Sequence, residues 1–120
     1  MQVSKQKVNK ILDNEISKIF YQLVSDVKTP KEAEDIFKCL LSETETVAMV
    51  KRLAVGYWLT KKRSYGVISQ NLKISSATVA TIAKDLKKPG WQLAIKKVLA
   101  DEWATKWEIK INNLLKKSRN

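Results

Sequence analysis

A chain of 120 residues with 44% hydrophobic content, 3 Gly and 2 Pro holds enough apolar material for one compact domain, or one domain with an arm. Frequent Ala, Leu, Lys, Glu and Ile add strong helix preference, so the fold class expected is all-α and a disordered polybasic tail is excluded. The net charge is +11 and unevenly placed: +8 lies within residues 61–100, against +2 over 1–30, −1 over 31–60 and +2 over 101–120. A polyanion would meet residues 61–100 first.

Histidine is absent and Cys39 is the lone cysteine, on the apolar face of a predicted helix, which argues against a zinc site and a disulfide framework and fits a reducing cytoplasm. No Gly-rich phosphate loop appears, and the acids are scattered as helix caps and surface charges. No catalytic residue, metal or cofactor is therefore assigned, and an enzyme is not expected. The N-terminus is polar from Gln2 to Lys10, and no apolar run approaches the roughly 18 residues of a membrane span. Neither a signal peptide nor a transmembrane helix is expected, and the location expected is cytoplasmic.

In chain order, Val8, Ile11, Leu12, Ile16, Ile19, Phe20, Leu23, Val24 and Val27 recur at three- and four-residue steps and predict one long amphipathic helix over 4–27. Such a stripe requires a partner surface. Thr29 as cap with Pro30 at the first helical position starts a second helix over 30–41, with Ala33, Ile36, Phe37, Leu40 and Leu41 as its apolar face. Ser42 and Glu45 form a capping box that opens a third helix over 43–61 through Val47, Val50, Leu53, Ala54, Tyr57 and Trp58. The run Lys61-Lys62-Arg63 suits either compensation of the helix dipole or phosphate contact.

Residues 64–86 read as a helix-turn-helix. Ile68, Leu72, Ile74, Val79 and Ile82 are spaced so that two short helices bury one shared face, and Ser69 is small where they cross. Ser75 caps the second helix by accepting from Ala77 or Thr78, so that helix begins at Ser76. Its outward positions Ser76, Ala77, Ala80 and Thr81 are small or hydroxylic, which lets its first turns enter a DNA major groove. Lys73 stands where glycine is common in such turns, which implies either about 1 kcal/mol of left-handed strain or a different turn. Beyond it, Pro89-Gly90 ends the recognition helix. Trp91, Ala94, Ile95, Val98 and Leu99 then run on into Trp103, Trp107, Ile111, Leu114 and Leu115 without a breaker, predicting one long terminal helix or two nearly collinear ones with tryptophans on the buried side. Residues 1–100 are taken as the DNA-binding domain and 101–120 as an amphipathic helical extension.

From Leu41 to Leu99 the succession LSETETVAMVKRLAVGYWL, a basic turn, SYGVISQNLKISSATVATI and PGWQLAIKKVL resembles the Trp repressor family over about half the chain. The resemblance implies an intertwined all-α homodimer whose long N-terminal helices wrap around the partner and whose helix-turn-helix units project as reading heads. It places Ser76, Ala77 and Ala80 on base-reading positions and Ser69 on a contacting position of the first helix. Arg63, Lys73, Lys84, Lys87 and Lys88 would anchor phosphates, and Ser75 and Thr81 complete the set expected at the DNA. Two arginines form the amino-acid corepressor pocket in the Trp repressor itself. Only Arg52 matches one of them and Thr81 stands at the other, so tryptophan is not expected as a ligand; Arg52 would instead pair with a carboxylate such as Glu45.

The function expected is a sequence-specific DNA-binding transcriptional regulator, a repressor by resemblance, acting on double-stranded DNA as a homodimer without a membrane partner. The alternative is a nucleic-acid-binding module without sequence choice, or a protein-interaction module, with the C-terminal helix as a docking element.

Overall fold

A computed structural model describes residues 6–118. Among these it contains seven α-helices and no strand. The chain divides into two compact units between Ala48 and Met49.

The first unit contains α1 (Lys10–Asp26), α2 (Pro30–Leu40) and the start of α3 (Glu43–Thr60). The α1 helix begins later than its stripe predicts. Ser4 lies outside the described residues, Val8 precedes the helix, and Asn9 stops it by accepting from the amides of Ile11 (2.9 Å) and Leu12 (3.4 Å). Thr29 accepts from Glu32 N–H at 3.1 Å with Pro30 behind it, as expected of that pair. The capping box also forms: Glu45 N–H donates to Ser42 Oγ at 3.1 Å, and Ser42 N–H donates to Glu45 Oε1 at 2.8 Å. Hydrogen bonding of the Glu45 carboxyl to the Ser42 amide, and next to the Ser42 side chain, holds it below the usual carboxylate range. Arg52 is exposed, and Glu45 is committed to Ser42 rather than to it. No described side chain of residues 6–48 is buried. Ile11 (75% exposed), Leu12, Ile16, Ile19 (69%), Phe20 and Val24 leave the α1 stripe open to solvent. Cys39 is exposed, not set into an apolar face.

The second unit contains the rest of α3, then α4 (Tyr65–Leu72), α5 (Ser76–Asp85), α6 (Pro89–Ala100) and α7 (Glu102–Ser118). Its core is Val55, Tyr57, Trp58, Ile68, Val79, Ile82 and Ile95, with Leu59, Leu72, Ile74, Trp91, Val98, Ile111 and Leu115 packed against it. Four consecutive residues, Val55 to Trp58, are buried, because this end of α3 is covered all round rather than on one stripe. The expected apolar positions Val47, Val50 and Leu53 are instead exposed.

Gly56 sits in this buried run. A Cβ there would overlap the indole ring of Trp91, so the glycine lets that ring reach the α3 backbone. The helix ends in a Schellman turn: Lys62 is left-handed (φ 64°), Lys62 N–H donates to Leu59 C=O at 3.0 Å, and Arg63 N–H donates to Trp58 C=O at 3.2 Å.

Of the two arrangements expected after Pro89, one long helix or two nearly collinear ones, two helices are present. The backbone turns extended at Asp101 (ψ 126°), and α7 leaves the line of α6 so that Ile111 and Leu115 reach the core. Asp101 and Glu102 are the signal: no glycine or proline marks the break, but two acids suit the start of a helix. Trp91 is half-buried, Trp107 is half exposed, and the side chain of Trp103 lies outside the described residues.

Candidate nucleic-acid interface

The α4 and α5 helices pack against each other as the spacing of their apolar residues requires. Ser64 opens α4 by accepting from Val67 N–H at 3.2 Å. Ile68, Val79 and Ile82 are fully buried between the pair, with Leu72 and Ile74 half-buried beside them. Of the two turn geometries left open for Lys73, the left-handed one is present (φ 54°, ψ 52°). The turn is secured from both sides. Ile74 N–H donates to Ser69 C=O at 3.3 Å, the Ser69 hydroxyl donates to Ile74 C=O at 2.6 Å, and Lys51 Nζ donates to Lys73 C=O at 3.4 Å.

Ser75 then caps α5 by accepting from Thr78 N–H at 3.1 Å, and its Oγ lies 2.9 Å from Thr78 Oγ1. With the turn closed and the cap made, α5 starts at Ser76 as expected. Ser76, Ala77, Ala80, Thr81 and Lys84 are all exposed, and at about 100° per residue they span an arc of about 140° on one side of α5. The Thr81 hydroxyl donates to Ala77 C=O at 3.0 Å, within the helix. No acid lies on this arc; Asp85, half-buried at the helix end, faces Lys88 at 3.3 Å. Lys73, Lys87 and Lys88 are exposed around it, with Lys84 on the arc itself.

Two expected residues are placed differently. Ser69 is half-buried, and its hydroxyl is spent on the turn. Arg63 has a side chain only 9% exposed, and its Nη2 meets Glu108 Oε1 and Asn112 Oδ1 of α7 at 2.6 Å each. Residue type and position suggested an anchor at the surface, and only the return of α7 reveals that this arginine is engaged within the fold.

Glu108 and Tyr57 complete the same cluster. Burial pushes the Glu108 carboxyl up, but hydrogen bonds from Arg63 and Tyr57 and the charges of Arg63 and Lys61 bring it below the usual carboxylate range. Burial likewise raises the Tyr57 hydroxyl, and the bond to Glu108 and its negative charge add to that, against the opposing charge of Arg63.

An apolar cleft of about 310 Å³ lies beside the cluster, lined by α3, α6 and α7 residues that include Val50, Leu53, Val98 and Trp107. No group of acids and cysteine among the described residues is arranged to hold a metal ion, and none of the described helices is long and apolar enough to cross a membrane.

The family model described as "Trp repressor protein" matches residues 15–99, which takes in α2 to α5 and most of α1 and α6 and leaves α7 outside. No curated protein and no solved structure gave a significant match. The family is one of DNA-binding helix-turn-helix transcription regulators, not of enzymes. The matched span covers α4, α5 and most of the all-helical fold, and the chain belongs to the Trp repressor family.

Proposed function

We propose that this protein is a sequence-specific DNA-binding repressor that acts in the cytoplasm as a homodimer, with α5 as the helix that enters the major groove. The observation that carries this reading is the exposed α5 arc, small or hydroxylic over its first turns at Ser76, Ala77, Ala80 and Thr81 and free of acids, with Lys84 on the same arc toward the end of the helix and Lys73, Lys87 and Lys88 around it. Side chains this short make no bidentate base contacts. Preference therefore rests on methyl contacts, bridging water and DNA shape, while the lysines hold phosphates.

The homodimer is supported by the exposed apolar residues of α1 and, separately, of α3, where Met49, Val50 and Leu53 face solvent. A second copy covers such faces and presents two reading heads about one helical turn of DNA apart. No tryptophan effector is proposed, because Thr81 supplies no second cation beside Arg52.

Selection from random duplexes tests the reading. Enrichment of a palindrome with half-sites about 10 base pairs apart, bound by a dimer with steep salt dependence, is expected. A flat selection with the same salt dependence would mean binding without sequence choice, and a stable monomer at micromolar concentration would remove the dimer.

A further inference from the structure

Arg63 is the residue where three parts of the second unit meet. Its amide closes the end of α3 on Trp58 C=O, and its guanidinium stands 5.0 Å from the centre of the Trp58 ring. The next residue, Ser64, is the cap from which α4 starts. Its guanidinium is gripped by α7: Nη2 bonds Glu108 Oε1 and Asn112 Oδ1 at 2.6 Å each, and Nη1 lies 3.5 Å from Glu108 Oε2. Ile111 of α7, between the two gripping residues in sequence, packs against the core, so the grip is tied to buried material rather than to a loose arm.

We propose that Arg63 is a positioning residue and α7 the brace it holds, so that the two together fix the direction in which α4, and with it α5, leaves the end of α3. Arg63 then contacts no phosphate. To reach one it would abandon Glu108, Asn112 and the Trp58 ring, leaving a largely buried carboxylate without its cation. Lysine does not replace it, because a point charge lacks the planar fork that meets carboxylate and amide oxygens while stacking on an indole. The functional half of this proposal rests on the DNA-binding reading above; the structural half does not.

The test uses the full chain carrying Arg63→Lys, Arg63→Gln, Glu108→Gln or the double change Arg63→Gln/Glu108→Gln. Thermal unfolding and amide exchange at Val67 and Ile68 are measured without DNA. Binding to a selected duplex is measured across a salt series, with Lys84→Gln for comparison. All three single variants are expected to lower the melting temperature by about 5–10 °C, the double no further than either of its singles, and to speed exchange at the start of α4.

In the Arg63 and Glu108 variants affinity falls with no change in salt slope, whereas Lys84→Gln, which removes one contact from each protomer of the proposed dimer, lowers the slope by about 1.8. Asn112→Ala, which removes one bond only, gives a milder form of the same result should the charge variants fail to fold. Wild-type behaviour of Arg63→Lys, a lowered slope in Arg63→Gln or tighter DNA binding by Glu108→Gln would each overturn the brace. If no duplex is selected, the DNA-binding reading fails, yet the cycle still decides the structural half: additive losses refute it and shared losses uphold it.

Discussion

The hydroxyl of Ser69 donates to the main-chain carbonyl of Ile74 at 2.6 Å, so a side chain from the first helix of the reading unit closes the turn that launches the second. Replacing Ser69 with Ala removes that bond from a half-buried setting, at about 1 kcal/mol, and returns a few tenths through better helix preference. The net loss expected in urea unfolding is about 0.5–1 kcal/mol. The salt slope of DNA binding should not change, since the hydroxyl faces the turn. A lowered slope with unchanged stability would place Ser69 at the DNA instead.

Lys73 carries the left-handed backbone of the same turn and a charge on the proposed phosphate rim. Glycine there relieves about 1 kcal/mol of strain but frees the unfolded chain, leaving a gain of about 0.5 kcal/mol. Lys73→Gly should therefore unfold at higher urea yet bind DNA more weakly, with a salt slope smaller by about 1.8 for the proposed dimer, one contact being lost from each protomer. Loss of both stability and binding would refute the strain.

These two residues also show what the sequence makes legible. The apolar spacing from Ile68 to Ile82 and the Ser75 cap are local features, and α5 begins where they say it does. The Thr29-Pro30 start and the Ser42–Glu45 box are equally local, and both form. The surroundings of Arg63 were not legible, because its partners stand 45 and 49 residues away and meet it only after the chain turns at Asp101. That turn carries no breaker. The full burial of Val55 likewise depends on neighbours from other helices rather than on the α3 pattern.

Ala80 lies within the exposed α5 arc, and α5 needs no side chain there for its own packing. Ala80→Leu should change stability by less than about 0.5 kcal/mol while weakening binding to a selected duplex more than tenfold, because bulk there holds the helix off the groove. Unimpaired binding would remove α5 from the groove.

Gly56 and Trp91 form a second pair whose members should be read together. Gly56→Ala raises helix preference by about 1 kcal/mol but drives a methyl group into the Trp91 ring, and overpacking of that kind costs about 1–3 kcal/mol. A net loss of stability is expected in the natural background. With Trp91→Leu already present the overlap goes, and the same alanine should stabilise. Calorimetric melting of the four proteins measures this change of sign.

Glu108 gives the pH dependence. Its carboxyl titrates lower when folded than when unfolded, so its contribution is fully present above the ordinary carboxylate range and lost as pH falls through the lower folded value. The gap in melting temperature between wild type and Glu108→Gln should stay constant near neutrality and close in acid. A gap that widened in acid would reverse the assigned shift.

The first 48 residues bury no described side chain, and this has a consequence for the cell as well as for the fold. On the homodimer reading, a freshly made copy that has not met its mate leaves Ile11 and Ile19 wet and is the form that degrading enzymes reach most easily. The number of working molecules then rises more steeply than the number synthesised, and slow expression leaves fewer survivors than simple proportion would give.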